Sequence, residues 1–182
     1  MNLRWKKMVK IPTFNFNKPK VSVKHTKNFH KKKNMIPKVI LSQTEKHEII
    51  YGEQAVKKQV PKYLHRPTQD FDIYTPTPLE DARETEKALD KRFGGDYFKT
   101  IPGKNPGTFR VVANANNESY ADYTQPKEKV PYKNIDGKKY ATLGYMLKKS
   151  NQIINDPMSS YRHNKDMDTI NRIKITKNKG GK

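Results

Sequence analysis

The chain has no cysteine, which removes disulfides, thiolate metal sites, iron–sulfur clusters and cysteine nucleophiles at once. It has no run of about 18 apolar residues, so no membrane span is expected. No apolar stretch follows its basic first residues, so a secretory leader is not expected either. Apolar residues are scarce, 33% of 182, too few to pack every segment, so part of the chain is expected to stay unpacked in isolation. Acids are scarce too: 18 Asp and Glu against 38 Lys and Arg leave a formal charge of +20. These absences point to a protein of the cytoplasm or of a virion, neither secreted nor membrane-spanning. The Lys- and Asn-rich composition suits an AT-rich genome such as a phage's.

The positive charge sits at the ends. Residues 1–44 carry 12 Lys or Arg and no acid, and residues 172–182 carry Arg172, Lys174, Lys177, Lys179 and Lys182, again with no acid. Between these stretches, 21 basic residues face 18 acidic ones. The organisation expected is a basic extended arm over 1–44, a folded domain over 45–173 and a basic tail over 174–182. Unopposed basic arms repel themselves and bury too little surface to fold alone. On a polyanion they release counterions and bind with strong salt dependence. Trp5, Phe14, Phe16 and Phe29 interleave with the lysines of the first arm, and aromatic rings stack on exposed bases. Arg4, Lys6, Lys7, Lys10, Lys31, Lys32 and Lys33 are therefore the candidate nucleic-acid contacts. A solvated tail is the plain alternative. An anionic membrane surface is a weaker one, because the arm shows no amphipathic stripe.

In the body, Val39-Ile40-Leu41 and Ile49-Ile50-Tyr51 are short apolar runs, the second leading into Gly52. Ala55, Val56, Val60 and Leu64 recur at helical spacing over Glu53 to Leu64, with Pro61 predicting a kink or early stop. His65 to Tyr74 reads as a strand by alternation, which puts Asp70 and Asp72 on one face and Phe71 and Ile73 on the other. Two neighbouring carboxylates repel each other, an arrangement a protein rarely keeps without a cation. Thr77-Pro78-Leu79-Glu80 reads as a capped helix start, and Gly94-Gly95 as its end. Strands are expected over Tyr97 to Thr100 and Thr108 to Ala113, with a weaker one over Ser119 to Thr124 carrying Asp122. If that last strand runs beside the one bearing Asp70 and Asp72, three acids converge on one sheet surface and signal a divalent-metal site. Tyr140, Leu143, Tyr145, Met146 and Leu147 form an amphipathic helical segment closed by Lys148 and Lys149. A final helix capped by Ser159 or Ser160 carries Arg162, Lys165, Asp166 and Asp168 to Ile173. The fold class expected is α/β (α+β), a small mixed or antiparallel sheet flanked by helices.

This order of motifs resembles the nucleotidyltransferase fold of DNA polymerase β and many small transferases, and most closely its AbiEii type, known from bacterial toxin–antitoxin and abortive-infection systems. In that family a Gly-Gly or Gly-Ser opens a helix. An Arg-x-Ser/Thr-x-Asp-x-Asp strand, a third carboxylate strand, a helical lysine and a terminal Lys/Arg-Asp-x-x-Asp motif follow. Here Gly52, then Arg66, Thr68, Asp70 and Asp72, then Asp122, then Lys148 or Lys149, then Arg162, Lys165 and Asp166 stand in that order. The resemblance spans about residues 49–173 and leaves both arms uncovered. It implies that Asp70, Asp72 and Asp122 hold two Mg²⁺ (or Mn²⁺) ions. It further implies that Gly52, Arg66, Thr68, Lys148 and Lys165 bind a nucleoside triphosphate, whose nucleoside monophosphate passes to an acceptor. Two positions depart from the pattern: Glu53 stands where the family has a second small residue, and Asp168 follows Asp166 by two residues instead of three. The alternative expectation is a silent nucleotidyltransferase fold serving as a structural nucleic-acid-binding component of a virion or ribonucleoprotein, with protein partners in a large assembly.

Overall fold

The computed structural model describes Phe29 and residues 31–179. The strand expected over His65 to Tyr74 is confined to Phe71–Tyr74. Five α-helices are present among the described residues: α1 (Ile36–Gln43), α2 (Gly52–Gln59), α3 (Pro78–Phe93), α4 (Leu143–Ile154) and α5 (His163–Lys179). The strands are β1 (Ile49–Tyr51), β2 (Phe71–Tyr74), β3 (Phe98–Pro102), β4 (Thr108–Ala113), β5 (Ser119–Thr124), β6 (Tyr132–Ile135) and β7 (Lys138–Ala141). They form one mixed sheet in the order β3-β4-β5-β2-β1-β7-β6. β2 runs parallel to β5 and β1 parallel to β7, and every other neighbour is antiparallel. The result is the expected sheet flanked by helices.

Alternation divides the sheet into two faces. Ile50, Phe71, Ile73, Val111, Ala121 and Tyr123 are buried, and α3 packs over β3, β4 and β5 with α1 against it. Ala82, Thr85 and Leu89 turn from α3 into this layer, and the Thr85 and Tyr123 hydroxyls share a 2.6 Å hydrogen bond. The intervening residues of β1, β2 and β5, namely Tyr51, Asp72, Tyr74, Asp122 and Thr124, point to the opposite face. That face forms a cleft with α4 and α5.

Several local expectations need correction. The helix expected to reach Leu64 makes the early stop that Pro61 predicted: α2 ends at Gln59, and Pro61 precedes a 3₁₀ turn over Lys62–Leu64. At the start of α3, Thr77 makes no side-chain cap, and the residue reaching back is Asp81, not Glu80; its carboxylate accepts from the Thr75 and Thr77 hydroxyls. Gly94, at φ 80, ends α3 in the left-handed conformation as foreseen. Tyr140 belongs to β7, and α4 begins after it with Thr142 as N-cap, whose hydroxyl oxygen accepts from Tyr145 N at 3.2 Å. The cap ahead of α5 is Asp156, which opens the 3₁₀ turn Pro157–Arg162; neither Ser159 nor Ser160 fills that role.

The expected boundary between arm and domain falls inside packed structure. Ile36 and Ile40 of α1 are buried, and Phe29 sits among Phe93, Tyr97, Phe98 and Tyr120 at centroid distances of 5.4 to 6.4 Å. At the other end, the expected boundary at 173 lies within α5, which continues unbroken to Lys179.

Candidate active site

Gly52 closes β1 and opens α2 at φ +65, where only glycine is unstrained. A Cβ there would stand 1.9 Å from Asp72 Oδ2, so the missing side chain also makes room for that carboxylate against the start of the helix. Tyr51 and Asp72 are cross-strand partners, and Asp72 pairs in parallel register with Asp122. Asp70 lies just before β2, and the Thr68 hydroxyl donates to its Oδ1 at 2.6 Å. Fold and register thus set Asp72 beside Asp122, with Asp70 two residues before Asp72 and outside the strand.

Their electrostatics differ. Asp122 is engaged: Arg110 Nε stands 3.2 Å and Ser119 Oγ 2.7 Å from its Oδ1. Asp72 has no hydrogen bond or ion pair among the described residues. Burial first, then the charges of Asp70 and Asp122, push its carboxyl up to about 7, against the pull of Lys165 and Arg162. A divalent cation would offset this excess of negative charge. The full convergence expected is not reached, because Arg110 and Ser119 occupy Asp122. Among the described residues, no three His, Asp or Glu side chains form a metal-ligating group.

The cleft has a volume of about 690 Å³, and cations face the acids across it. Arg162, Lys165 and Lys149 line it from the helical side. Lys148 is not among the lining residues and pairs with Glu128 at 2.9 Å; the helical lysine that lines the cleft is Lys149, 4.0 Å from the same Glu128 carboxylate. Asp166 is buried, accepts from Ser150 Oγ at 2.9 Å and pairs with Arg162 at 3.4 Å.

Glu53 accounts for the first departure from the family pattern. Its carboxylate does not face the cleft as a free charge. Arg172 grips it with two hydrogen bonds of 2.7 Å, and Arg66 Nη2 adds another at 2.5 Å. Asp168 completes the network, 2.9 Å from Arg172 Nε and 3.1 Å from Arg66 Nη1. Arg66 is therefore committed to this network, although it still lines the cleft with Asp70; Thr68 does not line it and faces a smaller adjoining pocket. Arg172, which sequence reading assigns to the tail charge, is a buried structural residue. Its spacing four after Asp168 on one helix was the available signal.

Arg4, Lys6, Lys7 and Lys10 lie outside the described residues. Lys31 is exposed. Lys32 is spent on the body: its Nζ donates to the carbonyls of Phe93 at 3.0 Å and Arg92 at 3.4 Å, at the end of α3. Lys33 pairs with Glu118 at 2.8 Å and lies over the Tyr120 ring, so neither Lys32 nor Lys33 is the free cation the charge run implied. Tyr51, Tyr74 and Tyr145 were missed and line the cleft, though the two-residue step from Asp72 to Tyr74 already placed one of them beside the acids.

No family model and no curated protein sequence matches this chain. Solved structures do. The polyadenylate synthase of Megavirus matches over 95% of this chain and 40% of that one, with a TM-score of 0.68 and 19% identity. JHP933 from Helicobacter pylori matches over 77% of this chain and 60% of that one, with a TM-score of 0.42 and 10% identity. This chain therefore spans less than half the length of the synthase, and the first likeness carries the assignment alone. The fold is nucleotidyltransferase-like.

Proposed function

We propose that the cleft binds a nucleoside triphosphate with Mg²⁺ or Mn²⁺ and transfers its nucleoside monophosphate to a hydroxyl of a nucleic-acid acceptor, releasing pyrophosphate and the hydroxyl's proton. The observation that carries this reading is the pairing of Asp72 with Asp122, beside Asp70, opposite a wall of Arg162, Lys165 and Lys149. The AbiEii-like order of motifs and the polyadenylate synthase likeness support it. Asp70 and Asp72 would hold the cation, with Asp122 adding charge; when bound, it supplies acidity to the acceptor hydroxyl and neutralises phosphate charge. Lys165, Arg162 and Lys149 offset the charge of the triphosphate. Gly52 keeps the start of α2 open to Asp72. The basic residues of 1–28 favour a polyanionic acceptor.

The test incubates the full chain with Mg²⁺ or Mn²⁺ and each α-labelled nucleoside triphosphate, with and without total RNA. Wild type transfers label, and Asp70→Asn/Asp72→Asn loses transfer by about 10³-fold or more, the scale of removing a group that stabilises transition-state charge. Equal labelling by both proteins refutes the reading. The engagement of Asp122 by Arg110 and Ser119 favours a second reading, a silent site on a nucleic-acid-binding scaffold. That reading predicts no label at all, and salt-sensitive RNA or DNA binding that is lost without residues 1–28.

A further inference from the structure

The outer hairpin of the sheet and the segment leading into it carry uncompensated positive charge. Residues 127–139 hold Lys127, Lys129, Lys133, Lys138 and Lys139 against two acids, Glu128 and Asp136. Lysines of neighbouring helices already take both acids. Glu128 pairs with Lys148 and Lys149 of α4 at 2.9 and 4.0 Å, and Asp136 pairs with Lys58 of α2 at 2.7 Å. Lys138 donates to the Thr44 carbonyl. Lys127, Lys129 and Lys133 are exposed and have no ion pair or hydrogen bond among the described residues.

β6 ends the strand order, so among the described residues it pairs with β7 alone. Lysines on an open edge guard against edge-to-edge association, but that guard gives no reason for an exposed aromatic. Tyr132 is 44% exposed, and Lys139 Nζ stands 4.5 Å from its ring centroid. No other ring meets it among the described residues. The β7 register sets Tyr140 level with the buried Ile50, so Lys139 stands on the opposite face, the one that carries Asp72. Tyr132 pairs with Ala141, two residues on from Lys139, and shares that face. Earlier in the same segment, Lys127 lines the cleft. A basic track thus leads from the cleft to an open ring on the same side of the sheet.

We infer that this track binds a single-stranded nucleic acid, with phosphates on Lys127 and Lys129 and an unstacked base on Tyr132. The lysines contribute attraction without sequence preference, and every base of a single strand offers a π face to the ring. An acidic peptide would bring the charge without the flat face, and a duplex keeps its bases stacked within itself. The track stands whether or not the cleft transfers a nucleotide; where it does, the track seats the acceptor outside the cleft.

The test measures binding of end-labelled oligoadenylate, oligodeoxyadenylate and a blunt DNA duplex to the full chain, over a salt series in EDTA. Tyr132→Leu weakens binding of the single strands about tenfold or more, the range of one lost base–aromatic stack, and leaves the salt slope and duplex binding unchanged. Lys127→Gln/Lys129→Gln lowers the slope of log affinity against log salt by about 1.4, because each phosphate contact on a single strand contributes about 0.7. Lys87→Gln/Lys91→Gln removes the same charge from exposed positions on α3 and changes the slope little. A Tyr132 effect confined to one sugar names RNA or DNA as the occupant, and an effect on both assigns the track to single strands of either kind. A folded Tyr132→Leu protein that binds both single strands as wild type overturns the inference. An equal loss on the duplex, or equal slope changes from the two lysine pairs, overturns it too. If Tyr132→Leu melts early, photocrosslinking of a bromouridine oligonucleotide to the wild type decides: adducts at Tyr132 uphold the track, and adducts confined to other residues overturn it. Label transfer separates the two claims. A wild type that transfers no label yet binds through Tyr132 defeats nucleotidyl transfer and leaves the track standing; one that transfers label while Tyr132→Leu binds unchanged does the reverse.

Discussion

Glu53 and Asp72 are two carboxylates at the same corner of the fold, one at the start of α2 and one on the strand beside it, and they meet opposite fates. Glu53 is 7% exposed and fully compensated by Arg172 and Arg66, which in turn share Asp168. Asp72 is crowded by Asp70 and Asp122 and has no partner among the described residues. Desolvating a charge is costly, and good geometry with further hydrogen bonds offsets that cost. The Glu53 network has both, so its arrangement is explained by holding α5 onto α2. Asp72 has neither, which sets it apart from an ion pair that fastens two helices.

The sharpest way to break this comparison is to strand Glu53. Arg172→Ala leaves a buried carboxylate with only Arg66, and a loss of about 3–5 kcal/mol is expected in chemical denaturation, the usual cost of removing one partner of a buried pair. Replacing both, as Glu53→Leu/Arg172→Met, should cost much less. If the single and double variants lose equally, the network is not a compensated pair. A smaller effect is expected at Gly52, which stands between the two acids. Gly52→Ala costs about 1–2 kcal/mol for the left-handed backbone alone, and the overlap with Asp72 adds to it. Combining it with Asp72→Ala should recover the overlap but not the backbone cost. Strict additivity in that cycle would show that the carboxylate does not press on the glycine.

The smallest effect sharpens the contrast with a third acid. Glu48 is 2% exposed, and burial above all, then Asp81 and Glu45, push its carboxyl up to about 7 despite the backbone N–H of Glu45 and the charge of Lys138. The folded state therefore holds this proton more tightly than the unfolded chain. Glu48's contribution is full below its ordinary value of 4.5 and is lost as pH rises through about 7. Glu48→Gln should accordingly show a shallower fall in Tm between about pH 5 and pH 8 than wild type. A fall as steep as wild type would mean that Glu48 is ionised throughout.

Much of this was legible from periodicity. Thr108–Ala113 and Ser119–Thr124 are strands over the ranges their alternation set, and Asp72 faces away from Phe71 and Ile73 as the two-residue repeat requires. Order of motifs singled out Asp70, Asp72 and Asp122, and the sheet pairs two of them, Asp72 and Asp122. Sequence alone could not reveal that Arg110 and Ser119 would take up Asp122, because that contact depends on the register of β4 against β5. The β6–β7 hairpin was missed although Asp136-Gly137, both at positive φ, is a strong two-residue turn signal. Its strands are short and lysine-rich, which hides them from a search for apolar alternation. The arm was drawn too long because charge was weighed over a window, whereas Ile36 and Ile40 bury themselves at helical spacing among the lysines.

The parallel pairing of β2 with β5 also bears on how the chain reaches this state. Asp72 and Asp122 are neighbours in the sheet but fifty residues apart in sequence, with α3 and the β3–β4 hairpin between them. The antiparallel joins β3–β4 and β4–β5 close over short loops, whereas bringing β5 beside β2 closes the longest of these loops and confronts like charges in the same step. Entropy and repulsion thus fall on the same step, and a cation that relieves the repulsion would ease docking of these strands as well as steady the finished fold.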